Sequence, residues 1–156
     1  MKSLVPETTI ADGWLFATQL PMPISANKAY VNIGKGRRKL SPEGKVFKRV
    51  IIDAITPTIA VSKAEIFSGI PLELQIDLYF KALENKGWPK TCKSRYKRID
   101  VSNRVKLLED AIFEAFGLDD KLVFSLKVTK LPTKNGEDSF CNFCVGPYIA
   151  KRGEDE

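Results

Sequence analysis

Three stretches of this chain hold residue types able to do chemistry: Asp100-Val-Ser-Asn-Arg-Val-Lys106, the pair Asp119-Asp120, and Cys141-Asn-Phe-Cys144. The histidine count is zero, which removes Ser-His-Asp and Cys-His catalysis, histidine-ligated zinc and histidine general bases. Hydrolysis would then fall to carboxylates, lysine, tyrosine, cysteine or a metal held by oxygen ligands. If one Asp of the 119–120 pair approaches Asp100, the converging carboxylates make a site for Mg²⁺, with Mn²⁺ as a substitute. Beside phosphate-binding cations such an ion activates water and stabilises the leaving oxygen of a phosphodiester. Lys106 would neutralise charge developing on the phosphate. Each group also has an ordinary reading. Asp100 is a good helix N-cap, and Asp119-Asp120 after Gly-Leu suits a turn before a strand. Lys106 suits a helix-surface partner of Glu109 or Asp110. Spacing alone leaves both sets open.

The thiols point elsewhere. Cys141 and Cys144 form the only Cys-x-x-Cys, and Cys92 is the only other thiol, whereas a structural zinc needs about four ligands. A redox pair belongs at a helix start after a strand, but this one lies in an apparent closing strand. Reduced structural thiols are the expectation, with a zinc or redox module as the rival.

The elements that must position these groups follow from periodicity. Val101, Val105, Leu108, Ile112 and Ala115 fall in one arc at helical spacing, predicting a helix over about 101–116 with Gly117 as its stop. That helix sets Asp100 at or just before its N-terminus, and puts Ser102, Lys106 and Glu109 on one flank, within roughly 60° of each other. Residues 13–20 predict a short strand ending at Pro21-Met-Pro23, and 21–40 a loop or ragged hairpin turning at Gly34 and Gly36. Ser41-Pro42 predicts a helix start, with Ser41 as N-cap and Pro42 at the first position. Pro57 is expected to end or kink this helix, and 58–66 to resume a second one. Strict alternation predicts a half-buried strand over 71–81, followed by a basic loop over 82–98 and strands over 121–131 and 139–149. The sum is an α+β fold, a mixed β-sheet with two or three helices packed on it. Its 156 residues make one domain, with a core over about 15–148 and frayed ends at 1–12 and 150–156. No apolar run approaches the roughly 18 residues needed to cross a bilayer, and the start lacks the apolar stretch of a signal peptide. A cytoplasmic protein with no membrane contact is expected.

The charge is unevenly placed. Residues 1–106 carry 19 Lys and Arg against 9 Asp and Glu, whereas residues 107–156 carry 6 against 10. One basic segment runs from Lys28 to Arg49 and another from Lys81 to Lys106, with Tyr30, Trp88 and Tyr96 among them. Such segments suit a surface that tracks a polyanion. The phosphate-binding candidates are Lys28, Lys35, Arg37, Arg38 and Lys39 in the first, and Lys93, Arg95, Lys97, Arg98 and Arg104 in the second.

The run Arg98-Ile-Asp-Val-Ser-Asn-Arg-Val-Lys-Leu-Leu-Glu-Asp-Ala-Ile, with Gly-Leu-Asp-Asp120 and a strand ending Lys-Leu-Pro132, resembles the RusA family of Holliday junction resolvases. Upstream, Pro21-Met-Pro-Ile-Ser-Ala-Asn-Lys-Ala-Tyr30 resembles the family's Pro-rich N-terminal segment, and Ser41-Pro-Glu-Gly44 its Ser-x-Glu-Gly helix start. The resemblance covers about residues 15–148. It implies a homodimeric, Mg²⁺-dependent endonuclease of phage or prophage type, without a small-molecule cofactor, that nicks four-way DNA junctions symmetrically in recombination and repair. Carried over by position, Asp100, Asn103, Lys106 and Asp120 match the catalytic residues, and Asp100, Asp119 and Asp120 the metal ligands. Ser102 stands where the family pattern has a second Asp, leaving a weak neutral ligand, so that the site works with fewer carboxylates or is supplemented by Glu109 or Asp110. The rival implied by that departure is a branched-DNA-binding protein that has lost its chemistry.

Overall fold

The structure, a computed structural model, describes residues 5–62, 67, 69–134 and 136–150. Of the ends expected to fray, 1–4 and 151–156 lie outside these residues. Residues 7–11 differ from expectation. Glu7–Ala11 forms strand β1, paired antiparallel with β2 (Trp14–Pro21). Asp12 and Gly13 between them both have positive φ, the conformation of two-residue hairpin turns that Asp-Gly adopts readily.

A short helix α1 (Ala26–Ala29) follows, then a two-stranded ribbon of β3 (Tyr30–Gly34) and β4 (Arg37–Leu40) turning at Lys35-Gly36. Helix α2 (Pro42–Ser62) and strand β5 (Leu72–Phe80) come next. Helix α3 (Ser102–Phe116), a 3-10 turn at Asp120–Leu122, β6 (Val123–Pro132) and β7 (Phe140–Pro147) follow. The main sheet has the order β1-β2-β7-β5-β6, and only β5 and β6 are parallel. The fold is therefore α+β with a mixed sheet, as the periodicity predicts.

Alternation decides which face is covered. Leu72, Leu74, Ile76, Leu78 and Phe80 of β5 are all buried on one side, beside Cys141, Phe143 and Val145 of β7 and Leu15 and Ala17 of β2. Phe47, Ile51 and Ile55 of α2 and Val105, Leu108 and Ile112 of α3 join the same cluster. Each such side chain contributes roughly 1.5–3 kcal/mol when fully buried, so the helices are fixed on that face.

Two details of α2 bear on the site. Ser41 caps it as expected, its hydroxyl accepting the Gly44 N–H at 3.0 Å while donating to the Lys28 carbonyl at 2.6 Å. Pro57 does not end the helix, and residues 58–62 continue it, while 63–66 lie outside the described residues. The turn around Pro57 is held from outside. Thr8 of β1 donates to the Ala54 carbonyl at 3.2 Å, Thr58 donates to the Thr8 carbonyl at 3.4 Å, and Ile51 and Ile55 anchor the inner face. These contacts offset the one hydrogen bond that proline removes.

A Cβ on Gly44 would stand 2.5 Å from the Ala29 carbonyl oxygen. Gly44→Ala should therefore destabilise the protein by about 2 kcal/mol in urea unfolding, although alanine favours helix by up to ~1 kcal/mol.

Candidate active site

Asp100 sits two residues before α3, and its Oδ1 accepts the Ser102 hydroxyl at 2.6 Å and the Asn103 backbone N–H at 3.3 Å. These two hydrogen bonds, the hydroxyl's first, hold its carboxyl below the ordinary range. Asn103 follows in the first turn of α3, half-buried. One turn further on, Lys106 donates to Asp110 Oδ1 at 2.9 Å and lies 3.6 Å from Asp120 Oδ2. The Asp110 hydrogen bond raises the Lys106 pKa, so the ammonium is fixed as a cation. Asp110 in turn accepts the Tyr30 hydroxyl at 2.7 Å, tying the base of the β3–β4 ribbon to α3 across 80 positions of sequence. Burial, then the Asp120 charge, pushes the Glu109 carboxyl up. Lys106, Glu109, Asp110 and Asp120 thus form one electrostatic group.

The structure divides the expected carboxylates. Asp120 reaches Lys106, while the partners of Asp100 are Ser102 and Asn103. Asp119 is turned to its own backbone, accepting the Lys121 N–H at 3.0 Å and pairing with the Lys121 ammonium at 3.3 Å. It therefore caps the 3-10 turn. Among the described residues no three His, Cys, Asp or Glu side chains stand close enough together to hold a metal ion.

The cations are mostly free to meet a ligand. Lys28 and the ribbon residues Lys35, Arg37, Arg38 and Lys39 are exposed, with Arg38 donating to Asn32 Oδ1 at 3.2 Å. Lys93, Lys97 and Arg98 of the loop after β5 are exposed as well. Two arginines are already engaged. Arg95 pairs with Glu84 at 2.8 Å and lies over the Trp88 and Tyr96 rings. Arg104 donates to the Pro23 carbonyl at 2.7 Å and lies over Phe80. Sequence reasoning did not find these roles: the Arg104–Pro23 and Tyr30–Asp110 bonds join residues some eighty positions apart, and the Arg95 contacts form inside an irregular loop that has no periodicity to read.

The Cys-x-x-Cys pair falls on an extended strand. Cys141 is buried on the helix-covered face, and Cys144 is only half-buried three positions on, where strand alternation turns it to the opposite face. Burial pushes both thiols up. The two cannot share a zinc or close a disulfide within this strand, so the structural reading of these thiols stands.

A lysine fixed among carboxylates, with exposed basic surfaces on the ribbon and the loop, is an arrangement suited to acting on a phosphodiester of a nucleic acid. The family model described as Endodeoxyribonuclease RusA matches residues 21–137. The Crossover junction endodeoxyribonuclease RusA of Escherichia coli O139:H28 (strain E24377A / ETEC) is 29% identical over 122 residues, 78% of this chain and 87% of that protein. The chain belongs to the RusA family and is an endodeoxyribonuclease.

Two substitutions probe the site. A carboxylate held low stabilises the fold above its unfolded-state pKa and loses that contribution as pH falls through the folded value. Ser102→Ala should move the Asp100 titration upward in carbonyl-carbon NMR, and the stability lost through Asp100 on acidification should become smaller, because the folded value moves toward the unfolded one. Tyr30→Phe removes a hydrogen bond to a charged group and should cost roughly 1.5 kcal/mol in urea unfolding.

Proposed function

We propose that this protein resolves four-way DNA junctions, acting in recombination and repair as a homodimer that makes paired symmetric nicks. The observation that carries this reading is the Lys106–Asp120 contact, set at the helix that Asp100 opens. The exposed cations of the ribbon and the loop after β5 would hold the phosphates of the arms. A two-stranded ribbon is also of a size to enter the major groove. Two cuts related by a two-fold axis call for two sites related in the same way, hence the dimer. No helix among the described residues is long and apolar enough to cross a membrane, and an enzyme of phage or prophage type that acts on DNA would work in the cytoplasm or nucleoid of a bacterial host.

The residues near Lys106 offer only oxygen donors, which suits a hard cation. Mg²⁺ commonly keeps several waters and takes one or two carboxylates, so a crowded acidic cluster is not required. Asp100 and Asp120 would hold it, with the Ser102 hydroxyl as a lesser ligand; Asp119, which the 3-10 turn claims as its cap, would have to leave Lys121 to join them. When bound, the ion supplies an activated water and shields the leaving oxygen. Lys106, kept protonated by Asp110, offsets charge on the phosphoryl oxygens in the transition state. Tyr30 holds Asp110, which steadies the lysine. Asn103, in the first turn of α3, would orient a ligand or the DNA backbone.

One observation favours a second reading, a branched-DNA-binding protein with weakened chemistry. The residue at the family's second acidic position is Ser102, whose hydroxyl is committed to Asp100.

Cleavage of a labelled four-way junction with and without Mg²⁺, scored beside binding, separates the two. Wild type should make paired nicks only with metal, and Asp120→Asn should lose roughly 10²-fold or more of the cleavage rate with binding retained. Binding without nicks in Mg²⁺ or Mn²⁺, and nicking restored by Ser102→Asp, would instead establish the binder. Sedimentation of the free protein as a monomer at working concentration would remove the dimer.

A further inference from the structure

The loop after β5 is a folded lobe. Its neck is closed by backbone bonds from Lys97 N–H to the Leu83 carbonyl at 3.0 Å and from Asn85 N–H to the Arg95 carbonyl at 2.8 Å. Across the neck the Glu84–Arg95 ion pair forms, and the Arg95 guanidinium lies 5.0 Å from the centre of the Trp88 ring and 5.2 Å from that of Tyr96. Between this lobe and the ends of β5 and β6 lies a cleft of about 820 Å³, within the rough 300–1,000 Å³ range of small-molecule sites. Phe80, Trp88, Tyr96 and Pro132 supply its apolar walls, and Lys86 and Lys130 its cations.

Trp88 remains 41% exposed and Tyr96 47%, so two large rings stay open to solvent on a lobe that is already braced. The cleft adjoins the active site through two contacts. Lys130 donates to the carbonyl of Ile99, the residue before Asp100, at 3.3 Å. Arg104, on the first turns of α3, lies over the Phe80 ring at 5.5 Å.

We propose that this cleft is a nucleobase-binding site that takes one unstacked base of the DNA substrate beside the branch point, an inference that rests on the junction-cleaving reading above. Aromatic walls fit the π-face that every base carries, and the sequence-tolerant stacking they give is the usual means of holding an unpaired nucleotide. Lys86 and Lys130 meet the phosphates on either side of it. A base lodged here draws the neighbouring backbone toward Asp100. Intact duplex keeps its bases stacked and offers nothing to fill the cleft, so the site also discriminates branched from linear DNA.

The test is a binding cycle, run without divalent metal, between a protein substitution and a missing base. Four-way junctions carry a single abasic nucleotide at each position flanking the branch point in turn. They are titrated with wild type, Trp88→Ala, Tyr96→Ala and Trp88→Phe, each verified as folded by an unchanged melting temperature. At one position base loss should weaken wild-type binding about tenfold. Trp88→Ala should bind the intact junction about tenfold more weakly and lose nothing further at that position, and Trp88→Phe should recover most of the loss. Equal losses in wild type and Trp88→Ala at every position, or no position-dependent loss at all, would overturn the site. If wild type fails to bind or cut junctions, the junction reading falls by itself. The cleft is then judged on single-stranded oligonucleotides, where unchanged affinity in Trp88→Ala and Tyr96→Ala overturns it and a loss in both upholds it.

Discussion

Strand β6 pairs with β5 in parallel, with Val123 opposite Leu72 and Pro132 opposite Phe80. A chain leaving β5 at Phe80 must therefore travel back the length of the strand before it can begin β6. That return carries almost everything with chemical meaning: the basic lobe, Asp100, α3 and Asp120. The apolar side of α3, with Leu108, Ala111 and Ile112 fully buried, fixes the crossover on the sheet. Its flank then has no freedom about where Lys106 and Glu109 stand. The helix that carries Lys106 and Glu109 is thus placed by a packing requirement that has nothing to do with chemistry.

Around that crossover, charge is arranged in two layers. The inner layer is small, with one ammonium set between the carboxylates of Asp110 and Asp120 and a tyrosine hydroxyl steadying Asp110. The outer layer is the excess of exposed lysine and arginine on the ribbon and the lobe. An anion drawn in by the outer layer meets carboxylates that would repel it, were a cation not already fixed among them. The Asp110 hydrogen bond raises the Lys106 pKa further, so that cation is in place at neutral pH.

Local pattern carried much of this into the sequence. The arc of Val101, Val105, Leu108 and Ile112 marked α3, and the alternation of 71–81 marked the central strand. From those two elements Asp100, Lys106 and Asp120 could be placed. Residues 7–11 were misread as a tail because their alternation is short and polar, although Asp12-Gly13 was the signal of a hairpin. Pro57 reads as a helix end because its cost is local and visible, while the contacts that carry the helix past it come from Thr8 of β1, some fifty residues away. The separation of Asp119 from Asp120 was illegible for a related reason. Two identical neighbours differ only in which one the backbone turn claims as its cap.

The lobe between Leu83 and Lys97 closes on itself at its neck, so its interior can change without disturbing the sheet or α3. Lengthening an already closed loop adds little entropy, only about 0.6 kcal/mol for each doubling. The segment can thus be exchanged as a cassette, its rings and cations altered while the Lys106–Asp120 contact beneath keeps its place. Divergence among relatives should gather here first, and a graft of the lobe from one relative to another is a natural route to altered substrate preference.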